Sequence, residues 1–254
     1  MTTEPNTLLS AWERGETTFG MWCVVPSSVS AQNVASRGFD YVCVDQQHGA
    51  VGYSDALAMY QVISARTTPL TRVPWNDPGT IMRSLDAGSQ GVVVPLVSTP
   101  EDAERAVAAC RYPPRGIRSF GPVVAGMTMG TREPSELEQV AVIVMIETRE
   151  GLDNLDEIAS VPGLDAIYVG PADLALALGL PPAYEHDDPT HIEAITAIRH
   201  ACERNGIVPG IHTADGRMAA RRAAEGFRMV TTGNDLVLLG AGASRSLAEA
   251  KGDR

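Results

Sequence analysis

Short apolar runs recur along the chain, each closed by polar residues or turn formers, and between them apolar residues return at helical spacing. Eight runs read as strands: residues 18–25, 39–44, 69–73, 91–95, 140–146, 166–169, 207–211 and 229–232. Runs of four to eight apolar, β-branched residues between breakers fit strands buried on both faces, as in parallel sheets. The intervening stretches carry helix signals. Ser54 precedes an amphipathic pattern reaching Ala65, and Thr99-Pro100-Glu101-Asp102 places a cap, a proline and two acids where a helix begins. The patterns over 190–205 and 213–225 stop at Gly206 and Gly226, and Thr213 reads as a cap. A short helix is predicted over 8–14. A last one, over 234–250, carries Leu236, Leu238, Leu239 and Leu247 and either packs on the barrel or crosses to a partner subunit.

Eight strand–helix units in 254 residues predict an α/β fold, a (β/α)8 TIM barrel forming one domain over residues 1–254. An open doubly wound sheet is the alternative, but it usually has fewer strands, and no GxGxxG follows the first one. Residues 112–133 interrupt the alternation. They are rich in Gly and Pro and too long for an ordinary connection, which predicts a lid or an interface segment.

In such a barrel the residues just after each strand converge on the rim where chemistry is done. The strand over 140–146 ends in Glu147, and the strand over 166–169 runs into Gly170-Pro171-Ala172-Asp173. These two acids either hold a divalent metal or cap neighbouring helices. Pro171 at a first helical position leaves the amides of Ala172 and Asp173 free to meet an anion, and hard oxygen ligands would suit Mg2+ or Mn2+. Arg72 sits inside an otherwise apolar strand, where a guanidinium is costly unless paired or used. Asp45 and His48 follow the second strand; they stabilise a loop, or Asp45 fixes the tautomer of His48 for acid–base work. His212 ends the seventh strand on the same rim and, standing before Thr213, reads as structural or as a support behind the site; His186, His191 and His200 read as solvated, and Asp86 as a helix-end cap or a contact behind the site.

Composition removes several chemistries. The chain has nineteen arginines but a single lysine, Lys251, near the C-terminus, which leaves no evident lysine for Schiff-base catalysis. A net charge of −11 argues against nucleic-acid or anionic-membrane partners, and no apolar run approaches a membrane span. No GxxxxGK or CxxC occurs among the motifs, and the first residues lack signal-peptide character, so a reducing cytoplasm is expected.

Five segments carry a resemblance: Phe39–His48, Leu85–Pro95, Tyr112–Arg118, Ile146–Gly151 and Tyr168–Leu174. Together they resemble the HpcH/HpaI family of pyruvate-dependent class II aldolases, which act on 4-hydroxy-2-oxoheptanedioate, 2-keto-3-deoxy sugar acids and related compounds. The resemblance spans nearly the whole chain. It implies a barrel of the phosphoenolpyruvate/pyruvate type with an extra C-terminal helix. It implies that Glu147 and Asp173 bind Mg2+ or Mn2+ (or Co2+), which chelates pyruvate. It further implies that Gly170, Ala172 and Asp173 hold the substrate carboxylate and that Arg72 steadies the enolate oxygen. His48, oriented by Asp45, would move the proton of the C4 hydroxyl. Cleavage would yield pyruvate and an aldehyde, and the assembly would be a trimer or hexamer with an exchanged final helix. Two departures stand out: Gln47 replaces the glutamate that many relatives carry before the histidine, and Met145 stands where some have a ligand-contacting glutamine. The alternatives on this fold are a citrate-lyase-β-like or malyl-CoA-like lyase, a phosphoenolpyruvate-mutase-type enzyme, or a non-catalytic binding barrel.

Overall fold

All eight apolar runs become strands in the computed structural model, which describes residues 6–252. They are β1 (Thr18–Cys23), β2 (Tyr41–Asp45), β3 (Thr68–Arg72), β4 (Gly91–Val94), β5 (Ala141–Ile146), β6 (Ala166–Val169), β7 (Val208–Ile211) and β8 (Met229–Asn234). Each pairs in parallel with its sequence neighbours, and β1 also pairs with β8, so the sheet closes into a (β/α)8 TIM barrel. Closure rules out the open sheet.

The period of two along each strand sorts the core. Tyr41, Cys43, Leu70, Val93, Ile143, Met145, Tyr168 and Met229 fill the barrel interior. Their neighbours Val42, Val44, Val92, Val94, Val142, Val144, Ile146, Ile167 and Val169 face the helices outside. Two inward glycines make room for the bulkiest interior rings: a Cβ on Gly20 would come within 2.1 Å of Tyr41, and one on Gly210 within 2.6 Å of Tyr168. The helix Thr7–Glu13 closes the N-terminal end. Its cap Asn6 accepts hydrogen bonds from the amides of Leu8 and Leu9 and donates to the Gln90 carbonyl, while Leu8 and Trp12 join the interior core.

Several local expectations change. The helix before β3, Tyr53–Ser64, starts after Gly52, whose amide donates to Asp55, so Ser54 is not its cap. The helix Gly216–Ala224 is capped by Asp215, because Thr213 is buried and its hydroxyl donates instead to the Thr231 carbonyl. Residues 112–133 are not a bare loop, since a helix spans Val123–Met129. This segment is anchored by Arg118, which is 2% exposed, lies over the Tyr112 ring and ion-pairs with Asp86 at 2.8 Å. Asp86 therefore braces this segment rather than capping a helix. Ile117, Phe120, Val123 and Met127 remain exposed on its outer side.

The final helix, Asp235–Lys251, is capped by Asn234 and attached by Asp235, whose carboxylate accepts from the Val24 amide (2.9 Å) and the Ser30 hydroxyl (3.2 Å). Leu236, Leu238, Leu239 and Leu247 are all more than half exposed, so they do not pack on this barrel. No described helix is long and apolar enough to cross a membrane.

Candidate active site

Strand parity aims one set of side chains into the C-terminal mouth. Trp22 continues the inward positions of β1, Asp45 those of β2 and Arg72 those of β3. Glu147 continues β5, Gly170 continues β6 and His212 continues β7. Trp22, His48, Arg72, Met145, Gly170, Pro171, Ala172, Asp173, Tyr184 and His212 line a cavity of about 190 Å3. Asp45 and Glu147, both buried, stand behind this lining.

Asp45 and Arg72 are directly opposite each other across β2 and β3. Register thus forms a two-pronged ion pair, with Arg72 Nε donating to Asp45 Oδ1 (2.9 Å) and Arg72 Nη2 to Oδ2 (2.6 Å). Both residues are less than a tenth exposed. Burial opposes the charge on Arg72, but the hydrogen bonds and charge of Asp45 outweigh it and hold the guanidinium above its ordinary pKa. The guanidinium also lies over the Trp22 ring, 4.5 Å from its centroid. Asp45 Oδ1 further accepts from the backbone amides of Gln47 (3.0 Å) and His48 (3.3 Å). The expectation that Asp45 orients the His48 ring is therefore corrected. Its oxygens are committed to Arg72 and to the turn, and His48 reaches the cavity as an exposed side chain. Gln47 leaves its buried Oε1 without a partner among the described residues.

Glu147 is 3% exposed. Its Oε1 accepts from the Leu96 amide at 2.9 Å, and its Oε2 is buried with no partner among the described residues. Leu96 turns that amide inward from a left-handed conformation, φ 56°, which is costly for a non-glycine residue. Burial pushes the Glu147 carboxyl up to about 7, the Leu96 amide pulls it down, and the nearby Asp173 charge raises it while Arg72 lowers it. Gly170 is needed here, because a Cβ would come within 2.2 Å of Glu147 Oε2. Asp173 lies in the first turn of the helix Pro171–Ala177 and is exposed toward the cavity. Capping does not account for Glu147: Thr148 caps the helix that follows, accepting from the Gly151 amide. A buried carboxylate oxygen without a partner, beside a second acid, suits a bound cation. Among the described residues no group of three or more His, Cys, Asp or Glu side chains has metal-binding geometry, so two acids are what the site offers.

Two residues escaped the reading of the sequence: Trp22 and Tyr184 line the cavity. His212, expected at the rim after the seventh strand, joins them, its ring edge-on to Trp22 and stacked on Tyr184. Counting by twos along β1 would have found Trp22. Tyr184 sits in a loop and carries no such signal. His191 is buried rather than solvated, with Nε2 hydrogen-bonded to the Pro171 carbonyl at 3.0 Å, and supports the Gly170–Asp173 turn from behind.

Known proteins agree with this architecture. Residues 18–241 match the family described as HpcH/HpaI aldolase/citrate lyase. The chain is 35% identical to a hydroxypyruvate/pyruvate aldolase of Rhizorhabdus wittichii, over 97% of this chain and 99% of that one. It is 36% identical to a 4-hydroxy-2-oxo-heptane-1,7-dioate aldolase of Escherichia coli, over 96% and 94%. A crystal structure of an HpcH/HpaI aldolase/citrate lyase family protein from Burkholderia cenocepacia superposes with a TM-score of 0.90 at 31% identity, covering 97% of this chain and 99% of that one. The chain belongs to the HpcH/HpaI aldolase/citrate lyase family and is a carbon–carbon lyase of the aldolase kind.

Proposed function

We propose that the chain is a divalent-metal-dependent aldolase that cleaves and forms 4-hydroxy-2-oxo acids, exchanging them with pyruvate and an aldehyde. The observation that carries this reading is Glu147 Oε2, buried without a partner next to Gly170 and near Asp173. The single lysine, Lys251, lies on the exposed final helix and offers no amine to the cavity. Glu147 and Asp173 would hold Mg2+ or Mn2+, with Co2+ a third candidate, and the ion would supply Lewis-acid polarisation of the keto oxygen.

The chain's own groups cover the remaining tasks. Pro171 has no N–H, and the amides of Ala172 and Asp173 begin a helix with no intrahelical partner, so they would donate to the substrate carboxylate. In the cleavage direction His48 would accept the C4 hydroxyl proton as the C3–C4 bond breaks and the aldehyde carbonyl forms. The electron pair of that bond passes to the keto-acid fragment as its enolate. Arg72 would face the charge growing on that oxygen with Nη1, the nitrogen left over from its pairing with Asp45. Protonation of the enolate carbon then gives pyruvate.

The test is pyruvate release from a 4-hydroxy-2-oxo acid. EDTA should abolish it and Mg2+ or Mn2+ restore it, whereas borohydride with pyruvate should leave the protein unlabelled. Covalent trapping, or full activity in a Glu147→Gln variant, would refute the reading.

A further inference from the structure

His212 ends a chain of buried hydroxyls whose far end can point in only one direction. Tyr41 Oη lies 3.0 Å from Thr231 Oγ1, which bonds to Tyr168 Oη, which lies 3.3 Å from His212 Nδ1. Tyr41, Tyr168 and Thr231 are all fully buried. Burial raises both phenols far above their ordinary range, so each keeps its proton. Burial and, next, the Arg72 charge lower His212 to about 4 against a smaller opposing pull from Asp45, so the imidazole is neutral at working pH and carries one proton on one of two nitrogens.

Proton counting selects the nitrogen. Tyr41 Oη has Thr231 Oγ1 as its one hydrogen-bond partner among the described residues, so it donates there or leaves a buried O–H unmet. Thr231 then donates to Tyr168 Oη, and Tyr168 donates to His212 Nδ1. Every hydroxyl is satisfied in that direction. With the proton on Nδ1, Tyr168 Oη would receive two hydrogens and its own would have no acceptor. The proton of His212 therefore sits on Nε2, which has no hydrogen-bond partner among the described residues, on a ring that lines the cavity.

We infer that His212 is a specificity-determining residue that presents an Nε2–H donor to a neutral oxygen of the aldehyde substrate, a hydroxyl or carbonyl beside the reacting carbon. This rests on the aldolase reading above, in which Arg72, Ala172 and Asp173 take the keto-acid end. The aromatic part of the remaining wall is Trp22, Tyr184 and His212, and its polar groups are this N–H, the Tyr184 hydroxyl and the buried Trp22 indole N–H; of these, the hydroxyl chain fixes the His212 donor. A neutral donor set between aromatic rings suits an uncharged oxygen.

The experiment compares condensation of pyruvate with glycolaldehyde and with propanal, which differ by a hydroxyl in place of a methyl group. His212→Phe should lower kcat/KM for glycolaldehyde about tenfold, the value of one lost hydrogen bond, and leave propanal within about twofold. His212→Gln, which keeps an N–H donor, should recover part of the glycolaldehyde rate. Equal losses with both aldehydes would overturn the inference. Nitrogen-15 spectra of the histidine ring, recorded between about pH 6 and 8 without substrate, should show the Nε2–H form in the wild type and a mixture in Tyr168→Phe. An Nδ1–H form in the wild type would overturn the inference independently of turnover. If the wild type condenses pyruvate with neither aldehyde, the aldolase reading fails, and the spectra still decide the donor.

Discussion

Glu147 concentrates the electrostatic tension of the site in one side chain. Its carboxyl titrates near 4.5 in the unfolded chain and near 7 when folded, burial being the main cause. Between those values the folded state holds a proton that the unfolded state releases, so the associated stability is present below about pH 4.5 and is lost as the pH rises through 7. The full difference is worth about 3 kcal/mol. Urea denaturation of metal-free protein at about pH 5 and pH 8 should show this loss in the wild type and not in Glu147→Gln. Parallel behaviour of the two proteins would contradict it. Arg72 resolves the same problem differently. Asp45 neutralises it inside the barrel wall, so the guanidinium stays charged and fixed without a ligand.

At the scale of elements, the site depends on how neighbouring strands end. Ile146 and Val169 are partners across β5 and β6, so Glu147 and Gly170 leave the sheet side by side. The Leu96 turn after β4 supplies the amide that holds Glu147 from the other side. Gly170→Ala should push Glu147 and Met145 aside, since the new Cβ would meet Met145 Cε at 2.9 Å as well as the carboxylate. The barrel should survive, because that carboxylate lies at the mouth. Mn2+ affinity measured by titration calorimetry should fall by about tenfold or more. Unchanged affinity would detach Glu147 from metal binding. Both acids were legible in the sequence, because a charge ending an apolar run stands out. Leu96 was not, since nothing in a leucine announces a left-handed backbone.

At the scale of the whole molecule, the final helix turns Leu236, Val237, Leu238, Leu239 and Leu247 outward, each more than half exposed. Burying a leucine is worth about 1.5–3 kcal/mol, so this face is a strong drive to associate. A homo-oligomer formed through this helix is the proposal, and sedimentation should find it. Leu236→Asp combined with Leu239→Asp should yield monomers with unchanged circular dichroism, whereas an unaltered assembly would place the interface elsewhere. The sequence by itself determined the eight strands, the expectation of a barrel and the candidacy of Asp45, His48, Arg72, Glu147 and Asp173, while the β1–β8 pairing that closes the sheet came from the structure. Apolar runs and strand-end charges are local patterns, written in consecutive residues. Only the tertiary structure decided what those groups do to one another. It committed Asp45 to Arg72 instead of His48, left one Glu147 oxygen unpartnered, buried His191 and brought Trp22, Tyr184 and His212 into one wall. Those outcomes depend on register between strands and on burial, which join residues far apart in the chain.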